Sequence, residues 1–145
     1  MKEKNSFGER DREATERRLL DTIEKMVIEN GFEKIGVNAV AAQSGVSKIL
    51  IYRYFGSVDG LMAAYIRQYD FWINFPVEVL DREQLPGFLK KMFRGQIEQL
   101  RSNPTLKRLY RWELSSGNDM IVKLREQREK IGVNLIEKVC ELTDY

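Results

Sequence analysis

The apolar positions of this chain recur at three- and four-residue spacing along most of its length, and few runs alternate strictly between apolar and polar residues. That periodicity predicts helices throughout, hence an all-α protein. In the first helix, from about residue 12 or 15 to 30, Leu20, Ile23 and Val27 form the buried stripe. Residues 1–14 are polar and are expected to fray. Gly31 stops this helix, because glycine takes positive φ without a Cβ clash. A second helix over 37–44 turns Val37, Val40 and Ala41 inward, with Gly36 as N-cap and Gly45 as breaker. Ser47 caps a third helix over 48–55, with Ile51 and Phe55 as its core positions. Gly56 ends it, and Ser57 caps a fourth helix that runs from 58 to about 72, with Leu61, Ala64 and Tyr65 inside.

Further along, residues 74–86 read as a linker containing the polar stretch VLDREQLP. An amphipathic helix over 87–102 carries Phe88, Leu89, Met92, Phe93, Ile97 and Leu100. Pro104 opens another, with Leu106, Leu109, Tyr110, Trp112 and Leu114, and residues 115–117 form a turn. The last helix, 119–142, places Ile121, Leu124, Ile131, Leu135, Ile136 and Val139 on its apolar side. The expected domains are 1–62 and 63–145.

Composition narrows the function classes. The 145 residues are 43% hydrophobic and 32% charged, a balance that folds. A net charge of only +2 excludes a broadly basic coat, so an anionic partner must meet a local patch. Histidine is absent, which removes Ser-His-Asp and Cys-His catalysis and histidine metal ligation. A lone Cys140 excludes an internal disulfide and a four-cysteine zinc site. No paired carboxylates, nucleophile motif or glycine-rich phosphate loop stands out, so the chain is read as a non-enzyme needing no cofactor and no metal. No run approaches the ~18 apolar residues of a membrane span or the apolar core of a signal peptide, so a cytoplasmic, membrane-free protein is expected.

The informative stretch is 31–61: short helix, tight glycine turn, short helix, glycine-serine turn, helix. That order is the pattern of a helix-turn-helix DNA reader, with the first helix supplying the missing core wall. No acidic residue lies between Glu33 and Asp59, while Lys34, Lys48 and Arg53 are cationic. A surface that approaches phosphates must exclude carboxylates. In KILIYRYF, Ile49, Leu50, Tyr52, Arg53 and Tyr54 are not needed by the core and are left largely outward. In a major groove Ile49 and Leu50 would meet thymine methyls and Lys48 would reach guanine O6 and N7. Ser47 and the Tyr52 and Tyr54 hydroxyls would bind phosphates and set register. The residues alone leave a second reading open, in which this apolar helix packs against protein, either its own or that of a partner in a non-DNA helical interaction module.

At these residues the chain resembles the N-terminal domain of the tetracycline-repressor (TetR) family of bacterial transcription regulators. The likeness covers about residues 12–65 and rests on Gly31-Phe32, Val37 with Val40-Ala41, Gly45-Val46-Ser47, Ile51-Tyr52, Tyr54-Phe55, Ser57 and Leu61. It implies a three-helix DNA-binding domain followed by a helical effector-binding and dimerisation domain, here expected to stop one or two helices short of that layout, through either truncation or loss of the usual dimer surface. The third helix becomes the recognition helix, with base contacts from Lys48, Ile49 and Leu50, phosphate contacts from Ser47, Tyr52 and Tyr54, and Asn38 nearby; Arg53 adds charge. Two departures are visible: Gly36 stands where the family usually has Ser or Thr, and Val58 where it usually has Lys. The implied function is a sequence-specific regulator, a repressor released by a small molecule, binding a double-stranded operator as a homodimer. Among the aromatics of the second half, Tyr69, Trp72, Phe88, Met92, Phe93, Tyr110 and Trp112 are the candidate lining for a hydrophobic effector, with ordinary core as the alternative. Residues 90–111 carry seven cations against Glu98 alone, read mainly as a solvated face.

Overall fold

The computed structural model of the chain describes residues 3–76, 78, 81–115 and 117–144. It is all-α: no strand occurs among the described residues. The chain divides into two compact units, Met1–Ile66 and Arg67–Tyr145.

In the first unit, α1 (Glu3–Asn30) leads through a 3-10 turn (Phe32–Lys34) to α2 (Val37–Ser44), α3 (Lys48–Phe55) and α4 (Val58–Tyr69). Leu19, Ile23 and Val27 of α1 are fully buried with Val40 of α2, Ile51 of α3, and Leu61 and Ile66 of α4. Three glycines end helices in sequence. Gly31, Gly45 and Gly56 all have positive φ, and their N–H groups donate to the carbonyls of Val27, Ala41 and Tyr52. Each stop therefore satisfies an otherwise orphaned helix-end carbonyl in a conformation that side chains resist.

The second unit holds α5 (Phe71–Asn74), α6 (Leu85–Ser102), α7 (Pro104–Ser115) and α8 (Asp119–Thr143). Here α5 packs on α8 and α6 on α7. The starts of α7 and α8 are capped by asparagine: Asn103 Oδ1 accepts from the N–H groups of Thr105 and Leu106, and Asn118 Oδ1 from that of Met120. Leu106, Leu109, Met120, Ile121 and Leu124 make much of the core.

Several sequence expectations are corrected. The first helix begins at Glu3, so residues 3–14 continue it; Arg12 and Glu16 form an i,i+4 ion pair of 2.7 Å there, and the Thr15 hydroxyl donates to the Asp11 carbonyl. The buried stripe of α1 uses Leu19, while Leu20 is half-buried. The expected fourth helix is two, because Asp70 takes an extended backbone and its carboxylate caps α5 by accepting from Ile73 N–H at 3.0 Å. Phe55 is half-buried, not core. On α6 the inward face runs through Leu85, Met92 and Gly95, where the Phe71 ring fills the space a Cβ would need, and this turns Phe93 and Ile97 to solvent. Leu114 and Ile136 are likewise exposed. Val77, Val79 and Leu80 of the linker and Ser116 of the predicted turn lie outside the described residues.

Candidate nucleic-acid interface

The α2–α3 corner is built locally. Gly45 reverses the chain, the buried Ser44 hydroxyl accepts from Val46 N–H at 3.1 Å, and Val46 itself is buried. Ser47 then caps α3, its hydroxyl accepting from Leu50 N–H at 3.4 Å. Ile51 anchors α3 to the core with no exposed surface. At 100° per residue, Ile49, Tyr52 and Arg53 are turned away from that anchor, whereas Lys48, three residues before it, lies toward its side and is exposed at the open first turn. All four are exposed; Ile49 is 68% and Tyr52 50% accessible, high values for an isoleucine and a tyrosine in a folded chain. Asn38 on α2 and Ser47 are also exposed, so six of the eight predicted interface residues share the outer side of the α2–α3 motif's own elements. Leu50 and Tyr54 lie on the flank and are half-buried.

Within residues 34–58 the charge is one-signed. Lys34, Lys48 and Arg53 are exposed, and Glu33 and Asp59 bound the acid-free stretch. Beyond α3, the corner into α4 is closed by Ser57, whose hydroxyl accepts from Gly60 N–H at 2.9 Å.

Two residues that sequence reasoning missed join this site from α1. The Arg12 guanidinium lies 4.9 Å over the Tyr54 ring centroid. Its Nε donates to Glu16 Oε1 at 2.7 Å, and that hydrogen bond holds Arg12 above the ordinary arginine range. The only available signal was the four-residue spacing of Arg12 and Glu16, in a segment that looked frayed.

In the second unit, Phe71 meets Trp72 edge-on at 5.4 Å and Phe75 at 5.1 Å, and Phe75 meets Phe88 at 5.7 Å. Trp72 and Phe88 of the predicted effector set are thus linked through Phe71 and Phe75; Met92 is buried on α6, and Phe93 stands in solvent. Tyr69 and Trp112 are half-buried. None of the seven lines either of two open concavities, one of about 600 Å³ bordered by Arg17, Asp21 and Gln43, the other of about 360 Å³ along α8 at Glu129 and Val133.

The strongest polar feature of that unit is a buried ion cluster that the sequence did not announce. Arg128 donates from Nε to Asp70 Oδ2 at 2.6 Å and through both terminal nitrogens to Glu113, at 2.6 and 2.8 Å. The Asp70 side chain is fully buried and that of Glu113 is 7% exposed. Its two carboxylates hold the guanidinium above its usual range despite the opposing effect of burial. Tyr110 lies beside it, 5.6 Å beneath Arg128, and its buried hydroxyl has no hydrogen-bond partner among the described residues. Burial first, and the Asp70 charge second, push the Tyr110 phenol upward. Among the described residues no cluster of His, Cys, Asp and Glu could hold a metal ion, and no helix is long and apolar enough to cross a membrane.

Residues 19–65 match the family model described as bacterial regulatory proteins, tetR family. No curated protein and no solved structure matches the chain. The matched segment opens at Leu19, the first fully buried residue of α1, and closes at Tyr65, which packs against Phe32, so it takes in the whole helix-turn-helix core. The helix-turn-helix of residues 19–65 is thus similar to that of the bacterial regulatory proteins of the tetR family.

Proposed function

We propose that the chain is a sequence-specific repressor that grips a double-stranded operator with α3 and is released by a small hydrophobic effector. The observation that carries this reading is the exposure on α3 of Lys48, Ile49, Tyr52 and Arg53, with no carboxylate in residues 34–58. Lys48 and Ile49 would read base edges with Leu50 at the flank, while Ser47, Tyr52, Tyr54 and Asn38 would meet phosphates and Arg53 would add attraction. Because Gly36 offers no hydroxyl and Val58 no ammonium, readout leans on apolar contacts more than on ion pairs.

The effector is assigned to the second unit, around Tyr69, Trp72, Phe88, Met92, Tyr110 and Trp112. The buried, unpartnered Tyr110 hydroxyl supports this, since such a group gains a bond when a polar ligand atom arrives. A homodimer is inferred through α8, whose Val122, Val133 and Ile136 are exposed.

The test is retention of random duplexes by the chain at two salt concentrations, followed by sequencing. The expected product is a two-fold-symmetric sequence with half-sites about 34–36 Å apart, lost steeply as salt rises. No enriched sequence, or retention indifferent to salt, overturns the reading and favours α3 as a protein-docking helix.

A further inference from the structure

We propose that Arg12, which lies outside the family-matched segment, is a positioning residue of the DNA interface: it holds the Tyr54 ring so that the phenol hydroxyl meets a phosphate. The proposal rests on the reading of α3 as the DNA-contacting helix. Because α1 is helical back to Glu3, it extends beyond its last core anchor, Leu19, and carries Arg12 to the flank of α3. There the guanidinium covers the Tyr54 ring at 4.9 Å. Glu16, one turn on, fixes the guanidinium through Nε. The contact is thus clamped at both ends, by an ion pair within α1 and by a ring on α3.

The arrangement has a physical consequence for binding. A half-buried Tyr54 braced on one face loses less rotamer freedom when its hydroxyl is immobilised on a phosphate. That hydroxyl has no hydrogen-bond partner among the described residues, so it is free to donate. Arg12 itself keeps 54% side-chain exposure, so a direct phosphate contact by its guanidinium is the rival role to be separated.

The experiment uses the full chain and a duplex recovered from the random pool with the wild-type protein, followed by fluorescence anisotropy over a salt series. Arg12→Ala should weaken binding about threefold, the scale of one exposed cation–π contact, with the salt slope unchanged. Arg12→Lys, which keeps a cation over the ring, should recover part of the loss. In a Tyr54→Phe background, which lacks the hydroxyl, Arg12→Ala should cost less than about 1.5-fold. Circular dichroism matching the wild type establishes that each variant folds. A salt slope reduced by about one would make Arg12 a phosphate ligand and overturn the positioning role. An unchanged affinity, or a threefold loss that persists with Tyr54→Phe, overturns it equally. Failure of the wild-type chain to retain any duplex strikes instead at the DNA reading itself.

Discussion

Asp70 and Arg128 are 58 residues apart in sequence and joined by a 2.6 Å hydrogen bond in a site with almost no solvent access. Glu113 completes the cluster, so a single guanidinium offsets two buried carboxylates. Asp70 has a second duty, because its other oxygen caps α5. The junction after α4, the start of α5 and the middle of α8 therefore depend on the same carboxylate.

Replacing Arg128 by methionine keeps an unbranched apolar stem but removes the guanidinium, and leaves Asp70 and Glu113 uncompensated. The expected loss is about 3–5 kcal/mol, read from the urea midpoint. Combining it with Asp70→Asn and Glu113→Gln should recover most of that loss. The cost lies in the unpaired charges, and the amide oxygen introduced by Asp70→Asn can still accept from Ile73 N–H. A triple variant as unstable as the single one would contradict this account.

Tyr110→Phe should leave stability at neutral pH unchanged or raise it by up to ~1 kcal/mol, because the hydroxyl it removes is buried without a partner. The pH dependence has a definite sign. The folded state holds the Tyr110 proton more tightly than the unfolded chain, so the associated stability is fully present below about pH 10 and is lost as pH rises beyond it. Urea midpoints between about pH 8 and 11 should fall less for Tyr110→Phe than for the wild type.

Gly60→Ala tests the corner that sets α3 against α4. A Cβ there would collide with the Phe55 backbone carbonyl, and backbone cannot swing aside as a side chain can. Loss of the folded first unit, or a Tm drop of several degrees for each kcal/mol of strain, is expected by calorimetry. Gly36→Ala meets nothing within 4 Å and serves as the comparison.

Within α3, Tyr52→Phe and Leu50→Ala should behave differently. Tyr52 is half-exposed on the outer arc, and loss of its hydroxyl should weaken all duplexes similarly. Leu50→Ala should shift the preferred base, by about 1–3 kcal/mol of discrimination at one position. Binding to a panel of single-base operator variants decides it; parallel losses for both substitutions would remove the division of roles.

The helix-turn-helix was legible in the sequence because its punctuation is local. Gly31, Gly45, Gly56, Ser47 and Ser57 act on neighbours at most four residues away, and all five occupy the predicted cap or stop positions. The outward face of α3 was legible for the same reason, since Ile51 fixes which side is inner. Elsewhere, tertiary partners decided. Apolar periodicity on α6 fits more than one face, and only Phe71 over Gly95 selects the side that excludes Phe93 and Ile97. For Asp70 and Glu113 the only local sign of burial is the aromatic and apolar neighbours in the runs YDFW and WEL. Their burial depends on Arg128, and no spacing rule links positions so distant. The helicity of residues 3–14 escaped notice because charged i,i+4 pairs support a helix without leaving an apolar stripe.

The glycine at each end of the reading motif also limits its vocabulary. Between the Ser47 cap and Gly56, α3 has eight residues, or ~12 Å of rod, and at ~3.4 Å per base pair that spans only three or four steps of a duplex. A word that short recurs by chance many thousands of times in a genome of ~10⁶ or more sites. On the reading proposed for α3, the chain could lengthen its message only by joining a second reader at fixed spacing, so the abrupt stop at Gly56 would make addressing a gene a task for more than one copy.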